Sequence, residues 1–268
     1  MHHRRILIAG AVAAAVIVGA RFIQPSNERD WAVDQAILPY AEIAPPLVTI
    51  HGIRNFRYTS AEQYQPAYYD KVFDLRKLDS VWFVVEPFGQ PGAAHTFVSF
   101  GFGDDEYLAI SIEIRKEKGE SFSAIGGLLR RYELMYVVGD ERDLIQLRTN
   151  HRRDPVHLYR VATTQQKREA MFLSMLARAN ALRTKPEFYN TLTNTCTTNL
   201  VRHVNEIAPD RVPRSLAVLL PSNSDRLAYD IGLLDRTFTF DETRARARIN
   251  DKAERAAGAD DFSRKIRE

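Results

Sequence analysis

Two apolar runs, AHTFVSFGF and YLAISIEIRKE, flank the glycine-acidic turn GDDE, and this stretch constrains the fold most. Both runs are rich in β-branched and aromatic residues, so the segment reads as a β-hairpin. A turn centred on Asp104 sets Phe97 opposite Ser111 and His95 opposite Glu113. A slip of one residue would undo that pairing. Further strands are expected in LVTIHGIRNFRYTS, VWFVVEPF, YELMYVVGDE and DPVHLYRV.

The pattern then changes period. Ala170, Phe172, Leu173, Leu176, Ala179 and Ala181 recur at near-helical spacing over residues 164–182. A second helix is expected near Cys196, with Leu200, Val201, Val204 and Ile207 as its apolar stripe and Pro209 as its stop. The fold class that follows is α+β, an antiparallel sheet followed by helices. Its organisation is a signal segment over 1–24, a linker over 25–45, one domain over 46–240 and a charged tail over 241–268. The tail is either an exposed helix or disordered, and no chemistry is assigned to it.

The N-terminus sets the compartment. MHHRR supplies a positive flank, and residues 6–20 carry no charge. That run is signal-peptide length and short of the roughly 20 residues that span a bilayer. Residues 22 and 23 lengthen it past Arg21, and VGA lacks the small residue expected three positions before a cut. An uncleaved anchor is therefore favoured over a cleaved signal. The positive flank then stays in the cytoplasm, which places the protein in the inner membrane with its main domain in the periplasm.

Charge excludes one class of partner. The 37 basic and 34 acidic side chains nearly cancel, and no aromatic-plus-basic or zinc-finger pattern is present, so nucleic acid is not expected as a partner. HExxH, P-loop, GxSxG and Rossmann patterns are also missing. No cofactor and no metal is called for. The charged residues Glu120, Glu133, Asp140, Glu141, Arg142, Asp143 and Arg148 could hold a metal or a lipid headgroup, but such runs more often form ion-pair networks.

The single cysteine excludes an intramolecular disulfide. Cys196 is a core filler, a reactive nucleophile or an intermolecular link. It stands in TLTNTCTTNL, where Thr193, Asn194 and Thr195 can cap a helix that starts beside the thiol. A helix start favours the thiolate, and its free N–H groups can hold an oxyanion. Of the seven histidines, His203 shares the cysteine's helix and cannot reach back. His51 and His151 sit in loop-like sequence, and His157 lies inside a strand. His95 opens the hairpin, either as a satisfied edge residue or as a placed base, with Glu113 set to orient it. Glu113 could equally be a surface residue paired with Arg115 or Lys116.

HTFVSFGF, ISIEIRKEKGESFS, YELMYVVGDERDLIQLRTN, PEFYNTLTNTCTTNL and LAYDIGLLD, taken in this order, resemble the bacterial Lnb N-terminal periplasmic domain family over residues 54–234. The resemblance implies a thiol acyltransferase that moves an acyl chain from phospholipid to the N-terminal amine of bacterial lipoproteins. It also implies a circularly permuted papain-like arrangement, similar to lecithin-retinol acyltransferase and NlpC-type enzymes. Carried over, Cys196 is the nucleophile, His95 the base, and Glu113 the third member with Ser111 as fallback. Asn194, Thr195 and the helix-start N–H groups serve the oxyanion and the cap. Relatives of one fold run different chemistries, so a cysteine hydrolase and a non-catalytic envelope-binding module stay open.

Overall fold

The structure is a computed structural model that describes residues 23–103, 105–213 and 215–268. The expected signal segment and the hairpin's central Asp104 lie almost wholly outside the described residues. Among the described residues no helix is long and apolar enough to cross a membrane.

A mixed sheet of eight strands organises the chain. Strands β1 (Tyr40–Ala44) and β2 (Leu47–Arg54) form an antiparallel pair. After the short β3 (Arg57–Tyr58) and β4 (Tyr64–Gln65), β5 (Tyr68–Asp74) returns along β2. Next come β6 (Leu78–Pro87), β7 (Ala94–Phe102) and β8 (Glu106–Arg115), then helix α1 (Ala124–Leu128), β9 (Glu133–Gly139) and helix α2 (Glu141–Gln146). A π-helical turn (Leu147–Arg152) leads to β10 (His157–Arg160). The main path across the sheet is β1-β2-β9-β8-β7-β6-β10, and β2 meets β9 through one parallel pair, Arg54 with Gly139.

The hairpin forms in the expected register, with Phe97 opposite Ser111. That ladder ends there, so His95 pairs instead with Glu86 on β6, and Glu113 with Met135 on β9.

After β10 the chain is helical, as the change of period implies, although α1 and α2 stand between strands. The helices there are α3 (Gln165–Thr184), α4 (Cys196–Ile207), α5 (Leu216–Leu219) and α6 (Ser224–Asp230). The C-terminal residues add α7 (Phe240–Ala247), α8 (Asn250–Arg255) and α9 (Phe262–Lys265).

Alternation along the strands sorts side chains between two cores. On the front face Val98, Phe100, Ile110, Ile112 and Tyr136 pack under Phe172, Met175 and Leu176 of α3 and Leu200 of α4. On the back face Phe97, Ala109, Met135 and Val137 pack with Leu144 and Ile145 of α2 and with Ala253 and Phe262.

Two segments differ from expectation. Residues 25–45 are built into the domain rather than strung before it: Trp31 and Gln35 are buried, and β1 extends the sheet. The charged C-terminus is likewise structural. Ile249, Ala253, Ala256, Phe262 and Ile266 seal the back core, and Arg267 reaches Glu141 with two hydrogen bonds of 2.6 and 2.8 Å. Few apolar residues spread among many charges suffice, because each falls on the buried side of a short helix or at its cap.

Candidate functional site

Cys196 is the first residue of α4, and the cap expected from sequence is present. Thr195 Oγ1 accepts from Thr198 N–H at 3.2 Å, while Thr198 Oγ1 accepts from Thr195 N–H at 2.7 Å, a reciprocal capping box. Asn194 is committed to the loop: its Nδ2 donates to Phe188 O at 2.8 Å, and its Oδ1 accepts from Asn199 at 2.9 Å. The first-turn N–H groups of Cys196 and Thr197, rather than the Asn194 amide, are therefore the donors that could meet an oxyanion. Cys196 is 9 % exposed and belongs to the front core, and its Sγ lies 3.7 Å from Thr197 Oγ1.

His95, Ser111 and Glu113 do come together, through a relay rather than by direct opposition. Ser111 Oγ donates to Glu113 Oε1 at 2.8 Å, so it accepts from His95 Nε2–H at 2.7 Å. This fixes the imidazole as the Nε2–H tautomer with its lone pair on Nδ1. The carboxylate itself stands 3.8 Å from Nε2.

Glu113 pairs with Arg148, not with its strand neighbours Arg115 or Lys116. Arg148 Nη2 donates to Glu113 at 2.9 Å, Nε to Glu86 at 2.6 Å and Nη1 to Leu144 O at 2.6 Å. Burial works to raise the Glu113 carboxyl, but the Arg148 cation beside it holds it far below the ordinary range. Burial instead pushes Glu86 up to about 7, with Arg148 and Arg152 pulling the other way. Glu86 was not singled out from sequence, and Arg148 was named only within a charged run expected to form ion pairs. The available signal was a carboxylate inside the apolar run VWFVVEPF, which must find a cation when buried.

The structure does not bring Cys196 and His95 into contact. His95 stacks on Phe97 with ring centroids 5.6 Å apart and faces the back side with Ser111 and Glu113. The next residue, Thr96, faces front, and its Oγ1 meets Thr197 Oγ1 at 3.0 Å. The thiol and the imidazole thus stand on opposite faces at one end of the sheet, and no hydrogen bond joins them among the described residues.

Burial, with Arg148 second, lowers His95 to about 3, so the ring is neutral at neutral pH. Between that value and the ordinary 6.5 the unfolded chain binds a proton that the folded chain refuses. His95 therefore contributes stability that is present above 6.5 and lost as pH falls toward 3. Urea melts of His95→Gln across this window should show a shallower loss than wild type, by up to about 1.4 kcal/mol per pH unit. Parallel curves for the two proteins would show that His95 takes up its proton as readily in the fold as in the unfolded chain.

An apolar groove of about 510 Å³ lies on the front face, between α3, α4, α6 and the sheet, and its lining includes Thr197, the residue after the thiol. Val98, Leu200, Val204 and Leu227 line it, Thr197 reaches into it, and Lys167, Arg168 and Arg211 also border it. Its size and apolar lining suit a small molecule or a lipid chain. Among the described residues no cluster of three or more His, Cys, Asp or Glu is placed to hold a metal. The charged runs are ion pairs, including Arg54 with Asp143 at 2.9 Å and Arg29 with Glu133 at 2.8 Å.

These features define a mixed α+β domain with a lone thiol at a capped helix start and an apolar groove beside it. The chain belongs to the Lnb N-terminal periplasmic domain family, whose model matches residues 64–222, and it is accordingly a periplasmic, envelope-related protein. No curated protein and no solved structure matches it.

Proposed function

We propose that this protein is a membrane-anchored periplasmic thiol acyltransferase. In this reading Cys196 takes an acyl chain from a phospholipid as a thioester and passes it to the N-terminal amine of a lipoprotein. The observation that carries it is the apolar groove that reaches Thr197, next to the thiol at the start of α4. An acyl chain lying in the groove would present its ester carbonyl to Sγ. The N–H groups of Cys196 and Thr197 would face the oxygen on which charge develops. Sγ attacks, the lysophospholipid alkoxide leaves with a proton, and the acceptor amine then displaces the thiolate.

His95 serves as base only if the start of β7 turns toward α4. A His95→Gln variant that keeps the full rate of transfer places the base elsewhere.

The experiment is mass spectrometry of lipoproteins made in a host lacking its own N-acyltransferase. Expression of this protein should convert free amino termini to acylated ones; termini that stay free overturn the reading. Val204→Trp fills the groove and should cut transfer of long chains by at least about tenfold while short-chain esters are still turned over. Equal losses for both chain lengths would exclude the groove as the chain site.

One observation favours a second reading. Because Cys196 and His95 face opposite sides of the sheet, the groove could serve a non-catalytic lipid-binding envelope module with Cys196 only packed. Under that reading the protein retains lipid but leaves every amino terminus free.

A further inference from the structure

Helix α1 carries an apolar surface that the fold leaves uncovered. Ile125 is 69 % exposed, Phe122 48 % and Leu128 44 %, and Leu192 in the turn before Cys196 is 55 % exposed. Large side chains grouped in this way mark an interaction surface rather than ordinary scatter.

The backbone beneath them is fixed. Tyr132 Oη accepts from Ser123 N–H at 2.9 Å and donates to Ser121 O at 2.7 Å, while Thr191 Oγ1 donates to Ala124 O at 2.7 Å. A Cβ at Gly127 would collide with Thr191 Oγ1, so α1 and the turn over residues 190–194 form one rigid face. The exposed side chains therefore ride on an ordered platform whose polar groups already have partners.

What covers this face follows from its surroundings. Ile23 shares a hollow with Ile125 and Leu129. Only Arg21 and Phe22 separate Ile23 from the uncharged apolar residues 6–20 in sequence, so the path into the expected anchor begins at the patch. The charged rim is neutralised internally, with Arg29 on Glu117 at 3.1 Å and Arg131 on Glu120 at 2.7 Å. A partner recognised by charge gains little here, whereas an apolar medium gains the whole centre of the patch.

We propose that α1 and the Leu192 turn dip into the outer leaflet of the membrane, seating the start of α4 at the lipid surface. The depth expected for such an apolar face is about 5–10 Å, at the boundary of headgroups and chains. This inference stands apart from acyl transfer, and its test reads no chemistry.

The test uses the full chain, with Cys196→Ala to remove the native thiol, reconstituted in phosphatidylcholine vesicles. Ile125→Cys, Leu192→Cys and Glu254→Cys each carry an environment-sensitive fluorophore, the last on the exposed side of α8. Nitroxide-bearing acyl chains should quench the labels at 125 and 192 several-fold more than the label at 254, at low and high salt alike. Equal quenching at all three sites would sink the proposal, as would quenching that disappears in salt. Blue-shifted emission at 125 without lipid quenching would also overturn it, since protein would then cover the patch.

Discussion

Replacing Arg148 with leucine is expected to destabilise the fold by about 3–5 kcal/mol, which for a chain of this size lowers the melting temperature by on the order of 10 °C. The Arg148 side chain is 4 % exposed, and its guanidinium stands between Glu86 and Glu113 and 4.9 Å from the Phe97 ring centroid. Leucine fills part of the space but leaves two carboxylates in a low-dielectric interior with no central cation. Breaking a buried pair costs far more than the pair contributes, because the stranded charge bears the full desolvation penalty.

The pH dependence gives this expectation a second signature. Glu86 is already pushed up to about 7, and loss of the neighbouring cation raises its proton affinity further. A group whose folded pKa is raised stabilises the fold at low pH and loses that contribution as pH rises through it. The deficit of Arg148→Leu should therefore be largest above neutral pH and narrow as the solution is acidified toward 5. Adding Glu86→Gln should recover part of it. Thermal melts of the single and double variants over pH 5–8 check both statements, and a deficit independent of pH would mean that packing, not charge, explains the loss.

If acyl transfer runs as proposed, replacing Cys196 with alanine should abolish it, a loss of roughly 10³–10⁶-fold, because Cys196 is the sequence's single thiol and a neighbouring threonine hydroxyl is a far weaker nucleophile. The fold should survive, since the thiol contributes one small buried side chain and a single 3.7 Å contact with Thr197. Intact-protein mass spectrometry supplies the decisive readout. Wild type incubated with phospholipid should gain an acyl mass that hydroxylamine removes, and Cys196→Ala should gain none. Lipoprotein acylation that continues at the wild-type rate in the variant would take Cys196 out of the mechanism. An unacylated wild type that still binds lipid would favour the binding-module reading.

The hairpin of β7 and β8, its register and the capped start of α4 were legible in sequence, because each is set by local pattern. Alternation fixes a strand's period, and Thr195 with Thr198 fixes a helix start. The face on which each residue lies was not legible. Which side His95 takes, and which side Thr96, depends on where α4 docks, and that docking involves Thr197, 101 residues from Thr96.

The Arg148 cluster was hidden for the same reason, its carboxylates lying 62 and 35 residues away. The C-terminal helices were misread because a high density of charge masked Ile249, Phe262 and Ile266. Spacing at helical intervals over so few turns gives too weak a signal to separate a packed segment from a solvated one.

The bond between Arg267 and Glu141 spans 126 positions of the chain, and Phe262 closes the back core beside it. The back face therefore closes through partners distant in sequence, and such distant closures slow folding. A polypeptide bound for the periplasm is threaded through the inner membrane before it folds. A back core whose partners stand so far apart stays open during that passage and closes only after both have crossed.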